Sequence, residues 1–186
     1  MPDRYVKRVL DGEREAFRHI IREYGDGAYY LALSILKEEH ASKDVVQTAF
    51  VNAYTNLKTF RGKSTFKTWI HRIVVNEAYQ QLRKQNRTHE VGEYELELIP
   101  DEENSHQLKA EKDHLKHYIQ ESFRCMKPDE SLALQLFYLE EHTLMEISKI
   151  AGWSESKVKV TLHRARKTMK NLLEQRFNLK PEELYL

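Results

Sequence analysis

The hydrophobic residues of this chain recur at helical spacing along most of its length. Three N-terminal stretches carry apolar side chains three or four residues apart, which is the period of an amphipathic helix. They are Tyr24, Ala28, Leu31, Ala32 and Ile35; Val46, Phe50, Ala53 and Leu57; and Phe66, Ile70, Ile73, Val74 and Leu82. No stretch shows a sustained period of two with turn residues between runs, so the pattern predicts an all-α protein.

Polar residues and glycine indicate where the helices of the first domain begin. Ser42 is a plausible helix N-cap, because a serine hydroxyl can accept a hydrogen bond from a free amide of the first turn. Gly62, followed by Ser64 and Thr65, predicts a loop and then the start of the next helix. We therefore predict one small helical domain over residues 1–88.

The segment 89–111 differs in composition from the helical segments on either side. Seven acidic residues and no Lys or Arg occur between Glu90 and Glu103. Gly92 and Pro100 would interrupt a helix there. These features predict a flexible acidic linker between two domains.

A second small helical domain is predicted over residues 112–176, followed by a tail over 177–186. Pro128 fits the first turn of a helix, and a short helix is expected over 144–151. The turn Gly152-Trp153-Ser154, with the serine as N-cap, leads into a longer helix. Its apolar face consists of Val158, Leu162, Ala165, Met169 and Leu172. Two helices joined by a short glycine-containing turn are typical of a helix-turn-helix motif.

The charge is segregated along the chain, although the formal net charge is only +1. Six basic residues and no acidic one lie between Ser156 and Lys170, within the second helix of the motif. Eight basic residues lie between Lys58 and Arg87, opposed only by Glu77. Either run alone is compatible with a solvated helix face. Two such runs in separate domains are also the electrostatic footprint of nucleic-acid binding.

The residue types around these basic runs indicate two kinds of DNA contact. Phe60 and Trp69 are interleaved with the first run, and aromatic faces stack on unpaired bases, although packing in the core is the alternative for each. The second helix of a helix-turn-helix enters the major groove with its N-terminal residues at the base edges. The expected base contacts are Glu155, Ser156, Lys157, Val160 and Thr161, and the expected phosphate contacts are Arg164 and Lys167.

Several motifs in a consistent order resemble bacterial sigma factors of the sigma-70 family. They are DVVQTAF over 44–50, FKTWIHRIVVN over 66–76 and ISKIAGWSESKVK over 147–159, continued by LHRAR over 162–166. The small size and the two domains resemble the extracytoplasmic-function (ECF) group. The resemblance implies an alternative sigma factor that binds core RNA polymerase and directs promoter-specific initiation, including promoter opening. It also implies regulation by an anti-sigma factor.

The resemblance further implies three sets of contact residues. The polymerase-binding residues would be Asp44, Gln47, Thr48 and Phe50. The residues at the minus-ten element would be Phe60, Arg61, Lys63, Ser64, Lys67, Trp69, Arg72, Asn76 and Arg83. The residues at the minus-thirty-five element would be Glu155, Ser156, Lys157, Lys159, Val160, Thr161, Arg164 and Lys167.

Two other functions compete with this interpretation. A stand-alone helix-turn-helix regulator would bind operators without polymerase, and the motif over 44–50 would then be incidental. An enzyme is disfavoured, because the nine histidines are scattered and no Gly-rich phosphate loop or nucleophile motif occurs. His114 and His117 have a spacing that can bind metal, but no third ligand is evident. We predict no catalytic residue, no metal site and no cofactor.

Cysteine content and hydropathy indicate the compartment. The single cysteine, Cys125, cannot form an internal disulfide, which argues against a secreted disulfide scaffold. The first residues lead into no apolar core of a secretory signal. The longest apolar run, over 29–36, is far shorter than the ~20 residues that span a bilayer. We expect a cytoplasmic protein without membrane insertion.

Overall fold

A computed structural model of the protein describes residues 4–89 and 110–176. The acidic stretch 90–109 and the predicted tail 177–186 lie outside these ranges, as do the predictions made for them. Every regular element within the two ranges is helical, which confirms the all-α prediction. The two groups of helices on either side of the acidic stretch correspond to the two predicted domains.

In the described part of the first domain, residues 4–89, there are four helices and two short turns. The helices are α1 (Arg4–Leu10), α2 (Phe17–Leu36), α3 (Glu39–Thr55) and α4 (Phe66–His89), with 3-10 turns at Arg14–Ala16 and Leu57–Thr59. The predicted apolar stripes of α2, α3 and α4 face one another, because burying these stripes removes apolar surface from water. The fully buried side chains of this core include Ile20, Leu31, Ile35, Leu57 and Ile70.

The beginning of α3 corrects one prediction from the sequence. Glu38, and not Ser42, caps the helix: its carboxylate accepts hydrogen bonds from the amides of His40 and Ala41. Ser42 is buried inside the helix, and its hydroxyl donates to the Glu38 carbonyl at 2.6 Å. A carboxylate suits the positive end of the helix dipole, and the two backbone hydrogen bonds lower the pKa of Glu38.

The beginning of α4 agrees with the sequence. Gly62 adopts a left-handed backbone with φ +67°, which glycine tolerates because it has no Cβ. Thr65 then precedes the helix, and its hydroxyl oxygen accepts a hydrogen bond from the Thr68 amide at 3.1 Å. The predicted loop glycine and the predicted helix start are therefore both present.

Four helices form the second domain. They are α5 (Ala110–Cys125), α6 (Pro128–Leu134), which runs into a π-helical turn at Gln135–Leu139, α7 (Leu144–Ala151) and α8 (Glu155–Arg176). Pro128 opens α6 as predicted. Thr143 and Glu146 form a capping box at the start of α7, and Gly152 ends that helix with φ +68°. The Ser154 hydroxyl accepts from the Lys157 amide at 3.2 Å, so the helix-turn-helix of α7 and α8 has the predicted cap.

The two domains pack against each other. Helix α7 lies on α4, and α6 with its π-helical turn lies on α2. We call this packing the closed arrangement. It places the start of α4 and the end of α2 beside the helix-turn-helix domain, which bears on the accessibility of the predicted contact residues.

Candidate protein and nucleic-acid interfaces

An apolar groove of about 700 Å³ runs along the outer face of α2 and α3. Phe17 and Tyr54 line it and pack edge to face, with ring centroids 5.0 Å apart, and Val51 in the same lining is 59% exposed. The side chains along the groove include Phe17, Ile21, Val46, Gln47, Val51 and Tyr54. An open groove of this composition can accept apolar side chains of a protein partner.

The four predicted polymerase-binding residues relate differently to this groove. Gln47 and Phe50 line it, whereas Asp44 and Thr48 do not. Phe50 is only 5% exposed and packs on Phe17 at 6.4 Å, so it shapes the floor of the groove. Asp44 is exposed, and the exposed Thr48 directs its hydroxyl to the Asp44 carbonyl at 2.9 Å.

Phe60 and Trp69 form one aromatic cluster with Phe66 around the loop before α4. All three pairs of ring centroids are 5.4 Å apart. Phe66 is buried against the rest of the core, whereas Phe60 and Trp69 are half-buried. Each of the two predicted stacking residues therefore packs on the core and also keeps part of its surface exposed to solvent, where it could stack on a base.

Several predicted minus-ten cations surround this aromatic cluster on an exposed surface. Arg61 and Lys63 project from the loop on either side of Gly62. Arg72 and Asn76 lie one turn apart on the exposed face of α4, and Arg83 continues the same stripe two turns later. We refer to these exposed residues of the loop and of α4 together as the cationic strip.

Lys67 and Ser64 do not join this strip. The Lys67 ammonium donates to the Glu140 carbonyl at 2.7 Å and lies 3.0 Å from the Glu140 carboxylate. Ser64 is half-buried, and its hydroxyl donates to the neighbouring Thr65 carbonyl at 3.2 Å. In the closed arrangement Lys67 thus faces the second domain and forms an ion pair with Glu140 of that domain.

The exposed face of α8 carries most of the predicted minus-thirty-five residues. They are Glu155, Ser156, Lys157, Lys159, Val160, Arg164 and Lys167. Thr161 corrects the prediction, because it is 8% exposed and faces the domain's core. Its neighbours Val158 and Leu162 are buried on that same side, so Thr161 lies on the packing face of the helix and not on the face that could meet base edges.

Lys157 is held in place by two contacts within the second domain. Its ammonium lies 2.9 Å from the Asp129 carboxylate and 4.5 Å from the centroid of the Trp153 ring. His163 is not among the residues predicted from the sequence to contact DNA. It is exposed on α8 three residues after Val160, and this helical spacing is the signal that could have placed it beside the predicted contacts.

Comparison with known proteins identifies both domains. The family model Sigma-70 region 2 matches residues 20–88, and the model Sigma-70, region 4 matches residues 116–169. Together the two matches cover about two thirds of the chain. The chain belongs to the sigma-70 family. The aromatic and cationic strip of α4 lies in its region 2, and the helix-turn-helix lies in its region 4.

Relatives place this sigma factor in the ECF group. It is 27% identical over 177 residues to the ECF RNA polymerase sigma factor SigW of Bacillus subtilis, covering 90% of this chain and 94% of that protein. It is 29% identical over 175 residues to the ECF RNA polymerase sigma-E factor of Escherichia coli K12, covering 89% and 91%. These relatives are sigma factors and not catalytic enzymes. The protein is therefore an alternative sigma factor that directs transcription initiation.

A solved structure shares the fold. The sigma factor RpoE of Bartonella quintana, determined in complex with the anti-sigma factor NepR, superposes with a TM-score of 0.64 at 21% identity. The match covers 86% of this chain and 97% of that chain. The overall helical architecture described above is thus found in an experimentally determined sigma factor.

Hydrogen bonds cross the contact between the two sigma domains. Besides the bond of Lys67 to the Glu140 carbonyl, they include Lys37 to the Phe123 carbonyl, Thr68 to Glu146, His71 to His142, and Tyr79 to Asp129. The lengths of these last four are 2.6, 3.2, 2.9 and 2.6 Å, respectively. None of these four pairs is predicted from the sequence, because their members lie 50 residues or more apart and belong to no common motif.

Burial changes the acidity of two groups in this contact. Lys37 donates to the Phe123 carbonyl and to the Ser131 hydroxyl, and its desolvation lowers its pKa to about 7. Tyr79 is half-buried and donates to the Asp129 carboxylate, so desolvation and this hydrogen bond raise its pKa. Burial therefore favours the neutral form of each group, the amine of Lys37 and the phenol of Tyr79, as expected at an interface from which water is excluded.

No helix within 4–89 and 110–176 is long and apolar enough to cross a bilayer. Over the same two ranges, no cluster of three or more His, Cys, Asp or Glu side chains is arranged to hold a metal ion.

Proposed function

We propose that this sigma factor brings core RNA polymerase to promoters through three separate surfaces. The groove of α2 and α3 binds polymerase, the loop and exposed stripe of α4 open the minus-ten element, and α8 reads the minus-thirty-five element. The observation that supports this division most directly is that the surfaces differ in chemistry. One is apolar, one combines aromatic rings with cations, and one is the outer face of a helix-turn-helix.

The groove suits a protein partner better than DNA. Its lining is mainly apolar, and Gln47 at its side can add a hydrogen bond. Asp44 and Thr48 flank it on the exposed surface of α3, where a partner that covers the groove would reach them. Buried apolar area would supply most of the affinity, with the polar residues setting orientation.

The strip on α4 suits a promoter that is being opened. Extruding a base costs a few kcal/mol of unpairing and unstacking. Stacking of an extruded base on half-buried Phe60 or Trp69 can offset this cost by roughly 1–3 kcal/mol per base. Both rings already pack on Phe66, so little side-chain ordering is needed when the base binds. Arg61 and Lys63 are exposed beside them and can bind the displaced backbone.

The outer face of α8 suits duplex DNA. Ser156 and Val160 lie one turn apart near its N-terminus, where a recognition helix meets base edges. Arg164 and Lys167 follow on the exposed surface and suit phosphates. Thr161 has no base-reading role in this proposal.

Run-off transcription with core polymerase on a genomic fragment library tests the function and finds the promoter together. We expect specific transcripts only when both the chain and core polymerase are present. Gel shifts on the same promoter should show feeble binding by the isolated chain and specific binding by the holoenzyme. Tight operator binding by the chain alone, with no transcripts, would favour the stand-alone regulator.

We also propose that an anti-sigma factor binds this protein between its domains. Among the solved structures with this fold, RpoE is in complex with the anti-sigma factor NepR, and CnrH is in complex with the cytosolic domain of CnrY. A groove of about 840 Å³ between α2 and α5 supports the proposal, because its walls are rich in apolar residues. They include Tyr30, Leu33, Ile119, Phe123 and Leu139. We place the protein in the cytoplasm and assign it no catalysis of its own.

A further inference from the structure

Two histidines from different domains meet in the closed arrangement. His71 belongs to α4 of the first domain, and His142 precedes α7 of the second. We propose that this histidine pair is a proton-sensitive clasp, which holds the two domains together while the imidazoles are neutral and releases them when they are protonated. The proposal concerns the free sigma factor and its domain arrangement.

The geometry of the pair requires a neutral ring. His71 Nδ1 lies 2.9 Å from His142 Nε2, and the two rings meet edge to face at 81°. One nitrogen of this hydrogen bond must donate and the other must accept. An imidazolium carries a proton on both nitrogens and has no acceptor, so two protonated rings would oppose N–H to N–H at this distance.

The pair is also removed from water. His71 is 0% exposed and His142 is 4% exposed. The remaining nitrogen of His71, Nε2, has no hydrogen-bond partner among the residues that the structure describes. A buried charge without a partner is costly, because the protein does not replace the solvation that the charge loses.

The charged groups around the pair compensate only in part for a proton. Glu140 Oε2 lies 3.8 Å from His71 Nε2 but only 3.0 Å from the ammonium of Lys67, which neutralises it. Glu146 Oε2 lies 3.8 Å from His142 Nδ1 and is already bound by the amide and hydroxyl of Thr143. On the α2 side the neighbour of the Glu140 carboxylate is a glycine, Gly27, which brings no charge.

The pKa values follow from these surroundings. Burial, then His142 and Lys67, lower the pKa of His71 to about 3. Burial and Lys67 also lower the pKa of His142, although Glu146 acts in the opposite direction. When the domains separate, both rings enter water, where the ordinary pKa is about 6.5. The separated state then binds more protons than the closed one.

The direction of the pH dependence follows from this difference. The closed arrangement is favoured above about pH 6.5 and is progressively lost as the pH falls from there toward 3. Each additional proton bound by the separated state lowers the closed-to-separated ratio by up to tenfold per pH unit, so two histidines give up to a hundredfold. Lys37 has a pKa of about 7 in the closed state, so it is mostly protonated in both states below pH 6 and adds little there.

Small-angle X-ray scattering of the full chain tests the clasp directly. At pH 8 we expect a compact particle, and between pH 7 and 5 we expect the radius of gyration to rise while helical circular dichroism is retained. The double variant His71→Gln and His142→Gln keeps hydrogen-bonding groups without a titratable ring, so its low-pH expansion should disappear. His163→Gln replaces an exposed histidine and should expand like the natural chain.

Imidazole NMR supplies a second readout if the double variant is open at every pH. In the natural chain the protonation of His71 and His142 should follow the same pH curve as the expansion. The proposal is wrong if both rings are protonated while the particle stays compact, if the double glutamine variant expands as the natural chain does, or if helical signal is lost in the same step. If the clasp opens, Lys67 is released from Glu140 and can bind promoter DNA; this consequence rests on the proposed function. The scattering experiment measures only the separation of the domains, so it can fail or succeed independently of that function.

Discussion

Replacing Lys37 by methionine tests the desolvation of a lysine at the end of α2. In the folded chain its ammonium is enclosed by the second domain, where it donates to the Phe123 carbonyl and the Ser131 hydroxyl. Methionine preserves an unbranched side chain of similar length and cannot be protonated. The comparison therefore isolates the pH-dependent part of the lysine's contribution, while the cost of the two lost hydrogen bonds is the same at every pH.

The magnitude follows from the two pKa values. Burial lowers the pKa of Lys37 from 10.5 to about 7, so over most of the interval between these values the unfolded chain holds nearly one proton more. The unfolding free energy must then rise with pH across this interval and must be lost as the pH falls through it. Between pH 7 and 9 the linkage relation gives a gain of about 2 kcal/mol in the natural chain and none in Lys37→Met.

Urea unfolding followed by circular dichroism at pH 7, 8 and 9 measures this difference. The difference in unfolding free energy between the natural chain and Lys37→Met should grow by about 2 kcal/mol from pH 7 to 9. Lys58→Met is the matched control, since Lys58 is exposed in the turn after α3 and its replacement should give a difference that does not change with pH. A constant difference for Lys37→Met as well would show that Lys37 is solvated in the folded chain.

Four further substitutions test the three proposed surfaces and the contact between the two domains. Val51→Arg should weaken retention of core polymerase in a pull-down at least tenfold while the melting temperature stays unchanged, because Val51 is exposed in the groove. Trp69→Ala should spare closed-complex footprints and reduce permanganate reactivity of the opened DNA, at ~1–3 kcal/mol per lost stacking contact; equal loss at both steps would make Trp69 purely structural. Arg164→Ala should weaken promoter binding for every upstream sequence and reduce the salt slope by about 1, and loss confined to one base position would contradict a phosphate contact. Tyr79→Phe should lower the unfolding free energy by ~1–3 kcal/mol in thermal unfolding, because Asp129 Oδ1 loses the tyrosine donor while Lys157 still contacts Oδ2.

The features that could be read from the sequence are those that depend on local pattern. Apolar spacing predicted α2, α3 and α4, because burying one face of a helix requires that period. The glycine and serine of the turn at 152–154 predicted the helix-turn-helix for the same kind of reason. Ser42 failed as a cap because the helix begins earlier, at Glu39, where the Glu38 carboxylate caps it, and Ser42 therefore lies inside the first turn.

The features that could not be read from the sequence depend on what a side chain meets after folding. Thr161 is buried although it directly follows the exposed Val160 and precedes the buried Leu162, so spacing alone does not decide its direction. Lys67 was grouped with the cations of α4, but its partner Glu140 comes from the other domain. Long-range pairs such as His71 and His142 leave no periodic signal in either segment.

The ion pairs of Lys67 with Glu140 and of Lys157 with Asp129 affect how strongly salt should influence DNA binding by the free chain. Each of these lysines can reach a phosphate only by leaving a carboxylate, which then gathers cations from solution. The counterions set free from DNA at that phosphate are offset by those taken up at the carboxylate. The slope of log affinity against log salt should therefore fall short of the slope that the basic residues alone imply. Variants with Glu140 and Asp129 neutralised should give the steeper slope, and equal slopes would show that DNA does not displace these two intramolecular pairs.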